Sequence, residues 1–526
     1  MIRVDVFLPL GFDGQIIRDR CGERLGRKIE PSLSLRLLRL AVDTSDTKNI
    51  RYKAAVLLSL DEKSEKHLIQ RRRAAKYEEA PFSLPAAKPF DKRPVVVGLG
   101  PCGLFAALIL AESGACPVVL ERGGDVDSRV RAVENFYRGG ELDEENNIQF
   151  GEGGAGSFSD GKLKVGSMTA EKRKVLETFV WAGAPERILY DAAAHVGTDL
   201  LRGIVKRIRQ RIQELGGTVL FGAKLEDILV KSGGVRGIKY RREGTLHEIE
   251  TDALLLATGH SARDTFHMLA AHGLPLEARG FGIGVRVEHP RGHIDRMVYG
   301  NELPLELGAA SYHLVTHLKN GRSVYSFCMC PGGSVVAATS VHGALVTNGM
   351  SLHARDGENS NAAILVSVTP ADFGNSALGG LAFQEKHERL AFEIARDYRA
   401  PAIRMEDFLL GRGSKSLGDV KPSYPRGTVL SELDGCLPSF ATESLRAAIP
   451  EFEAYKKGFY LPDAILTGVE TRTTSPIRIL RDESGQALRG LYPCGEGAGY
   501  AGGIISSAVD GITASLRLLR NHQNQA

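Results

Sequence analysis

The stretch PVVVGLGPCG, residues Pro94 to Gly103, joins a short β-branched run to a loop with glycines at Gly98, Gly100 and Gly103. A glycine loop of this spacing between a buried strand and a helix is typical of a dinucleotide-binding βαβ unit. Gly98 permits the turn, Gly100 lets the backbone approach a pyrophosphate, and Gly103 lets the helix pack on the strand. The helix N-terminus would face the phosphates with its partial positive charge.

The residues after the loop complete this unit. LFAALILAESG is typical of a buried helix that stops at Gly114, and PVVLE of a second strand that ends in Glu121. Glu121 follows Gly98 by 23 residues, close to the ~20-residue offset at which an acidic side chain binds an adenosine ribose. The uncharged run from Pro94 to Ala111 approaches the length of a membrane span, but its central glycines favour a strand, a turn and a helix.

The same GxGxxG pattern occurs twice more, from Gly151 to Gly156 and from Gly497 to Gly502. Neither copy opens a βαβ unit, so we count one Rossmann unit. The segment from Gly151 to Gly161 is interpreted either as a mobile surface loop or as a backbone clamp beside a flavin. Its polar members are Ser157, Ser159, Asp160 and Lys162, and Asp160 is interpreted as a turn-former rather than a catalytic acid.

Two distant segments point to a flavin dinucleotide. TDALLLATGHSA, Thr251 to Ala262, is an apolar strand that ends in Ala-Thr-Gly, and GLYPCGEGAGYAGGI near the C-terminus is a strand, an acid and a glycine-opened helix. In this order the set resembles a glutathione-reductase-type FAD domain. More narrowly, it resembles the uncharacterised FAD-dependent dehydrogenases loosely described as NAD(FAD)-utilising dehydrogenases. The segments that carry this narrower resemblance are QFGEGGAGSFSDGKL, SFCMCPGG, GVETRTTSPIRI and PCGEGAGYAGGI.

The resemblance implies FAD as cofactor and assigns residues to it. Glu121 would bind the adenosine ribose, and Arg122 would lie on the adenine side. Glu496 takes the place of the aspartate that contacts the ribityl chain in related folds. The cofactor-binding residues predicted in this way are Gly98, Gly100, Pro101, Gly103, Glu121, Arg122, Gly154, Ser157, Lys162, Thr258, Gly259, Gly495, Glu496, Gly503 and Ile504.

Catalytic residues are harder to predict, because a flavin needs little chemistry from side chains. Cys328 and Cys330 precede a Pro-Gly-Gly turn and form either a redox pair or a structural pair, and we expect the structural pair. Arg472 precedes the terminal FAD strand and is a candidate for an anionic substrate or a reduced flavin. No metal site is predicted. Weaker candidates, each with a structural alternative, are His260, Arg412, Lys415 and Arg478.

The predicted fold class is α/β, with a glutathione-reductase-type FAD-binding Rossmann domain, an inserted mixed α+β domain and a small N-terminal α/β domain. A ferredoxin-like topology is one option for the N-terminal domain, with helices expected near Gly22–Ile29 and over residues 61–77. The predicted boundaries are 1–85 for this domain, 86–93 for a proline-rich linker, 94–271 and 465–526 for the FAD domain, and 272–464 for a substrate or cap domain.

Composition limits the remaining choices. The chain has 67 basic and 63 acidic residues, a balance that does not argue for nucleic acid, and seven cysteines, a number typical of a reducing compartment. Without a signal-peptide pattern, a cytoplasmic protein is expected. We predict an FAD-dependent oxidoreductase or dehydrogenase that passes hydride through flavin N5 to a small-molecule substrate. We expect either NAD(P)H, visiting the substrate side transiently, or another reductant as electron donor, and a protein partner is a further option for the N-terminal domain. Alternatives are a flavin-dependent RNA-modifying enzyme and a non-catalytic flavin-binding protein.

Overall fold

The computed structural model of the chain describes residues 1–79, 81–301 and 305–525. They form a small N-terminal unit, a parallel-sheet unit and a mixed-sheet unit inserted into the second. Within these ranges no helix has both the length and the apolar character needed to cross a membrane. The uncharged run from Pro94 to Ala111 is a strand, a turn and the start of a helix, as predicted.

The N-terminal unit is a four-stranded antiparallel sheet in the order β2-β3-β1-β4 with two helices, a β-α-β-β-α-β arrangement. Side chains of the first strand alternate between buried and exposed, as expected for a sheet with one covered face. The elements are β1 (Ile2–Pro9), α1 (Gly14–Leu25), β2 (Arg36–Asp43), β3 (Arg51–Leu58), α2 (Glu62–Gln70) and β4 (Ala75–Lys76).

Both helix predictions for this unit were wrong in their bounds. The first helix begins earlier because the Asp13 side chain accepts a hydrogen bond from the Ile16 amide, and it ends at Gly26, whose φ of 70° is left-handed. The second helix ends at Gln70, and Arg72 has a φ of 54°. The chain then adds the short edge strand β4 rather than further helical turns.

Residues 81–93, which include the predicted linker at 86–93, are packed against the next unit. Phe82, Leu84, Ala87 and Phe90 lie on the core of the parallel-sheet unit, and the Phe90 ring stacks on His522 at 3.8 Å. The segment therefore extends the core surface, although it has no regular secondary structure.

The second unit holds a five-stranded parallel sheet, β23-β11-β5-β6-β7, and an antiparallel meander, β10-β9-β8. Helix α3 is buried from Cys102 to Ala111, because it lies between the sheet and other helices. The elements are β5 (Val95–Val97), α3 (Pro101–Glu112), β6 (Val118–Glu121), α4 (Val126–Tyr137), α5 (Ala170–Trp181), α6 (Thr198–Glu214), β7 (Thr218–Phe221), β8 (Ala223–Lys231), β9 (Gly234–Arg242), β10 (Thr245–Glu250), β11 (Leu254–Leu256) and α7 (Arg263–Ala271).

The inserted unit is built on a seven-stranded mixed sheet in the order β14-β15-β18-β13-β21-β19-β20. The elements from β13 onward in this unit are β13 (Phe281–Pro290), α8 (Arg291–Tyr299), β14 (Val315–His317), β15 (Ser323–Cys330), β16 (Ser334–Ala337), β17 (Thr347–Met350), β18 (Asn359–Val368), α9 (Gly379–Ala395), β19 (Ala400–Arg404), α10 (Met405–Leu409), β20 (Thr428–Leu430), α11 (Ser439–Tyr455) and β21 (Ile465–Glu470). Two short strands, β12 (Leu276–Ala278) and β22 (Ile477–Ile479), flank it in sequence. The parallel-sheet unit is completed by β23 (Leu491–Pro493) and α12 (Ile504–Gln525).

The predicted end of the insertion at residue 464 needs correction. Strand β21 pairs with β13 and β19, so residues up to Glu470 belong to the inserted sheet. The chain leaves this sheet after Glu470, and β22 then pairs with β12 beside the parallel-sheet unit. The hydrophobic run of β21 fits either sheet, and pairing alone decides between them.

Candidate functional site

A large cavity lies between the parallel-sheet unit and the inserted unit. It has about 1780 Å³ of empty space, its open mouth included. Residues just after three neighbouring parallel strands line it: Gly98 after β5, Thr258 after β11 and Glu496 after β23. Ligands of open α/β sheets bind at this carboxyl edge.

The three glycines of the first loop have different structural reasons. Gly98 has a φ of 98°, and a Cβ there would meet the Ala257 carbonyl oxygen at 2.3 Å. A Cβ on Gly103 would meet the Gly98 carbonyl oxygen at 1.8 Å. These two glycines are therefore required by the turn and by helix packing.

Gly100 differs, because the chain itself does not require a glycine there. Its φ of −72° suits any residue, and the nearest atom to an added Cβ is the Gly154 Cα at 3.7 Å, an ordinary contact. A Cβ would instead project into the space beside the N-terminus of α3. This cradle fits a phosphate group held by backbone amides at close approach.

The Glu121 carboxylate joins three segments around this cradle. It accepts hydrogen bonds from the backbone amides of Leu99 (2.8 Å), Gly123 (2.9 Å) and Gly151 (2.9 Å). A carboxylate has roughly four acceptor sites, so one remains for a ligand hydroxyl. Glu121 lines the cavity and is only 4% exposed.

The second glycine loop, residues 147–161, lies directly against the first. The fully buried Arg129 of α4 donates to the carbonyls of Asn147, Glu152 and Gly154. A Cβ on Gly154 would lie 2.9 Å from the Gly100 Cα. These contacts favour the clamp interpretation over a mobile surface loop.

Arg122 also lines the cavity on this side. Its guanidinium lies over the Phe150 ring at 4.1 Å from the centroid. It pairs with Glu145 and forms a bidentate ion pair with Asp264 at 3.0 Å. These partners hold a flat, charged surface at the cavity wall. Gly98, Gly100, Glu121 and Arg122 are called the glycine side of the cavity below.

Four titratable groups among the other lining residues are called the cysteine side below: His260, Cys328, Glu470 and Glu496. The His260 Nε2 lies 3.9 Å from a carboxylate oxygen of Glu496. Burial, with a smaller contribution from Cys328, raises the pKa of Glu496 to about 7. Burial, helped by Arg472 and Arg263, lowers the pKa of His260 to about 4, so that the ring is neutral at pH 7.

Arg472 is held in a buried ion-pair network rather than pointing freely at a ligand. Its Nε and Nη2 donate to the two Glu388 oxygens at 3.0 and 2.8 Å, and its Nη1 donates to Ser261 and Ser340. Arg263 donates to the same carboxylate. Burial opposes ionisation of Glu388, but the two arginines outweigh it and lower its pKa to about 2.

Arg286 of β13 forms a second buried network next to Cys328. It is fully buried, and its Nη2 donates to a Glu470 oxygen at 3.0 Å. Its Nη1 donates to the Cys328 carbonyl at 2.8 Å. Asn348 and Asn361 accept its remaining hydrogen bonds. The network fixes the backbone at the cysteine side of the cavity.

Most of the predicted site residues line this cavity. The structure places there Gly98, Gly100, Pro101, Glu121, Arg122, Gly154, Lys162, Thr258, Gly259, Glu496, Gly503, Ile504, Cys328 and Arg472.

Four predicted residues lie behind the wall instead. Gly103 packs against Gly98, and the buried Ser157 hydroxyl faces the Glu152 carbonyl at 3.5 Å. The Gly495 amide donates to Asp510 at 2.7 Å. Cys330 is fully buried beneath Cys328. Gly103, Ser157 and Gly495 are each adjacent in sequence to a lining residue, and Cys330 is two residues from one.

The weaker candidates separate in the same way. His260 lines the cavity, whereas Arg412 pairs with Asp407 of α10 at 2.7 Å and Lys415 is exposed outside the lining. Arg478 lies over the Tyr500 ring at 5.1 Å, also outside the lining. Asp160 is 1% exposed and ion-paired with Arg355, so it is more than a turn-former.

Sequence reasoning missed Arg286, Glu388 and Glu470, which organise the cavity wall. A usable signal was present for Arg286 and Glu470, because Arg286 interrupts the apolar run FGIGVRV of β13 and Glu470 directly ends the mainly apolar β21. Buried charges of this kind are rare unless paired. Glu388 gave no such signal, because its helix, α9, carries charges on several faces.

The sequence of this chain is similar to a family model and to a full-length relative. Residues 280–473 match the family model described as "FAD-dependent protein, C-terminal domain-like". An uncharacterised protein from Clostridium beijerinckii is 44% identical over 530 residues, which cover 98% of this chain and 98% of that protein.

Solved structures give weaker likenesses. A mutant of the halogenase PltM in complex with FAD has a TM-score of 0.40 and 10% identity over 83% of this chain and 71% of that one. A mutant quinol fumarate reductase from E. coli has a TM-score of 0.36 and 14% identity over 84% of this chain and 72% of that one. A flavin-dependent brominase has a TM-score of 0.37 and 10% identity over 83% of this chain and 81% of that one. With TM-scores below 0.5, these three structures do not enter the functional assignment.

Proposed function

We propose that this chain, which belongs to the same protein family as the full-length clostridial relative, is an FAD-dependent oxidoreductase that passes hydride through flavin N5. The match of residues 280–473 to an FAD-dependent family model supports the cofactor. The observation that carries the proposal is the cradle at Gly100, where a glycine is present although no contact within the chain requires one.

On this proposal the glycine side of the cavity holds the adenosine and pyrophosphate parts of FAD. The α3 N-terminus and the backbone at Gly98 and Gly100 would bind the phosphates. Glu121 would accept a ribose hydroxyl at its remaining acceptor site. Arg122 would lie on the adenine side, where its ion pairs already fix its plane.

The flavin would lie toward the cysteine side of the cavity. Lys162, Thr258, Gly259, Glu496, Gly503 and Ile504 line that region and are proposed as its contacts. The Glu496 carboxylate would accept a ribityl hydroxyl, in the place predicted from the sequence. Bound FAD supplies a two-electron acceptor and donor at N5, and the protein orients the partner and excludes water.

Glu496 and His260 would donate and accept protons on the cysteine side. Glu496 has a pKa of about 7, close to the value at which an acid both gives and takes protons efficiently near neutral pH. The neutral His260 ring beside it would accept a hydrogen bond or relay a proton. Both groups line the cavity in which the substrate would react.

For Arg472 we now propose a positioning role instead of the direct substrate contact predicted from the sequence. Four of its five N–H groups are directed at Glu388, Ser261 and Ser340. A guanidinium held in this way keeps the wall near His260 rigid and positively charged. It lowers the pKa of His260 together with burial.

The electron donor is a separate question. The described residues contain one five-stranded parallel sheet of the dinucleotide-binding type, and its carboxyl edge is assigned to FAD. NADH and NADPH would therefore have to enter from the substrate side as transient reductants. They are the first donors to test, followed by thiols and quinols.

The test is direct. The purified full-length chain should be yellow and should release FAD, not FMN, on denaturation. Anaerobic addition of candidate donors should bleach the flavin absorbance, and a metabolite screen should then find a compound that reoxidises it. Protein that binds no FAD, even after reconstitution, would overturn the proposal. Bound FAD that no donor reduces would instead indicate a non-catalytic flavoprotein.

A further inference from the structure

The backbone at Cys328 departs from a regular strand. Opposite β18, Phe327 aligns with Ala363 but Cys330 aligns with Asn361, so three steps on β15 match two on its partner. Cys328 itself has a φ of 40°, a conformation that non-glycine residues rarely adopt. A bulge of this kind re-aims side chains and is frequent beside active sites.

The bulge places the two thiols in unequal positions. Cys328 lines the cavity, whereas Cys330 is fully buried behind it. The Cys330 Sγ lies 3.3 Å from the Cys328 carbonyl oxygen. The Cys328 sulfur therefore belongs to the residue at the cavity surface, and the Cys330 sulfur to the buried residue behind it.

The charges around Cys328 favour its thiolate. The hydrogen bond from Cys330 has the largest effect, and together with Arg286 and Lys162 it outweighs burial and Asp160, lowering the pKa of Cys328 to about 5. Glu496 also faces this sulfur, and Glu470 is neutralised by its pairing with Arg286. A thiolate at pH 7 is the reactive form of cysteine.

A second pair of neighbouring thiols lacks these features. Cys102 and Cys494 are both buried and within hydrogen-bonding reach of each other. There the contact with Cys494 and burial raise the pKa of Cys102 well above its usual value. Cys330, the buried member of the first pair, has a raised pKa for the same reasons, so it is the strand bulge and the positive φ at Cys328 that distinguish the first pair from the second.

We propose that Cys328 and Cys330 form a redox-active dithiol that closes to a disulfide and exchanges two electrons with the FAD bound in the same cavity. This inference rests on the proposed function, since it needs the flavin as electron partner. It replaces the structural pair expected from the sequence. Cys328 is the residue that would meet a thiol or disulfide substrate, and Cys330 is its internal partner.

The electron and proton balance closes without another reactant. The Cys328 thiolate and the Cys330 thiol form one S–S bond, which breaks the Cys330 S–H bond and releases two electrons and one proton. Oxidised FAD takes up those two electrons and that proton to give the anionic reduced flavin. Run in reverse, a reduced flavin opens the disulfide and restores the thiolate and the thiol.

Exchange with a substrate would follow ordinary thiol chemistry. A small thiolate in the cavity attacks the Cys328 sulfur of the disulfide and releases Cys330 as its leaving group. A second thiolate then attacks the substrate sulfur of that mixed disulfide and frees Cys328. Two substrate thiols become one disulfide, and their electrons reach the flavin when the cysteine pair closes again.

The test uses the air-oxidised holoenzyme and two readouts that do not depend on turnover. The first is thiol counting after denaturation with peptide mapping, before and after reduction. The second is anaerobic reductive titration followed by flavin absorbance. The variants are Cys328→Ser, Cys330→Ser and Cys330→Ala, with Cys116→Ser as control at a half-buried thiol outside the cavity lining.

The wild type and the control are expected to take up about four electron equivalents per FAD, two for the flavin and two for the disulfide. The three variants should retain FAD but take up about two. The wild-type thiol count should rise from five to the seven free cysteines of the reduced chain, with Cys328 and Cys330 as the two gained.

Seven free thiols in the air-oxidised wild type, with about two equivalents per bound FAD, would overturn the dithiol but leave the proposed flavoenzyme intact. Protein without FAD would end the proposed function and the electron exchange together. In that case the thiol count alone would decide whether the pair still closes. If the Ser variant of the buried Cys330 fails to fold, the Ala variant and the wild-type count keep the test decisive.

Discussion

The two sides of the cavity are built in opposite ways. The glycine side comes from one short stretch around Gly98 and Gly100, with Glu121 close behind in sequence, and its geometry is made almost entirely by backbone. On the cysteine side, four side chains from four distant segments line the cavity, and burial and charged neighbours such as Arg286 shift the pKa values of these groups. The glycine side thus depends mainly on backbone geometry, and the cysteine side on contacts between residues far apart in sequence.

The largest expected effect on FAD binding tests the glycine side. Gly100→Val should place a branched side chain in the cradle and weaken FAD binding on the order of 100-fold or more, about 3 kcal/mol. Equilibrium binding to apoprotein measures this. Gly203→Val is the matched control, because an added Cβ at that exposed helix position meets nothing within 4 Å. Normal FAD occupancy in the Gly100 variant would show that the cradle does not hold the cofactor.

The largest expected effect on the free energy of unfolding tests the cysteine side. Arg286→Met would leave Glu470 buried without its partner and should lower the free energy of unfolding by about 3 to 5 kcal/mol. The double variant Arg286→Met with Glu470→Met should recover most of that loss, because no charge is then buried alone. Urea denaturation measures both. If the single and double variants are equally unstable, the pair is not what stabilises this wall.

A smaller effect is expected for Glu121→Gln. The amide NH₂ cannot accept a hydrogen bond, so at least one of the three backbone amides now bound to Glu121 loses its partner, at a cost of about 1 to 3 kcal/mol. Thermal unfolding with and without FAD separates loss of stability from loss of binding. Glu177→Gln, at an exposed position of α5, should change neither quantity.

The pH dependence of thiol reactivity sharpens the comparison without a mutation. The pKa of Cys328 is lowered from 9.0 to about 5, so its alkylation rate should rise through pH 5 and level off by pH 7 in chemically reduced protein. Cys102, whose pKa is raised, should remain unmodified over the same range. Because the thiolate is the native form, Cys328 contributes stability above pH 9 that is lost as the pH falls through 5. A Cys328 rate that rises only near pH 9 would contradict this assignment.

The smallest expected effect lies outside the cavity. A chain beginning at Pro81 should keep full FAD occupancy, because the N-terminal unit supplies none of the lining residues. A chain beginning at Arg93 also loses Phe82, Leu84 and Phe90, which cover the core of the parallel-sheet unit, and should unfold at a lower temperature. Equal melting temperatures for the two truncations would mean that this covering segment adds nothing.

The same contrast explains what the sequence could predict. Gly98, Gly100, Gly103 and Glu121 were recognisable because a turn and a close approach fix residue type at fixed spacing. Ser157 and Gly495 were assigned to the cofactor through the family resemblance, but the Ser157 hydroxyl faces the Glu152 carbonyl and the Gly495 amide donates to Asp510. Where the chain has no regular secondary structure, position in the sequence does not predict which residues point into the cavity.

His260, Cys328 and Glu496 were candidates from the sequence, but the ion pairs on the cysteine side could not be predicted because the residues that form them are distant in sequence. Arg286 meets Glu470 and the Cys328 carbonyl only after β13, β15, β18 and β21 have paired. The bulge that re-aims Cys328 appears only in the register of two strands. The CxC spacing was visible, but nothing local distinguished a reactive pair from a structural one.

The buried Arg129 has a consequence for the cost of binding. Its guanidinium satisfies carbonyl groups of Asn147, Glu152 and Gly154 in a loop that has no helix or sheet partners at these positions. A ligand that must order a loop loses affinity through the conformational entropy of that loop. Here the ordering is completed during folding, so a dinucleotide entering beside Gly154 would meet a wall already in place and retain more of its contact energy as affinity.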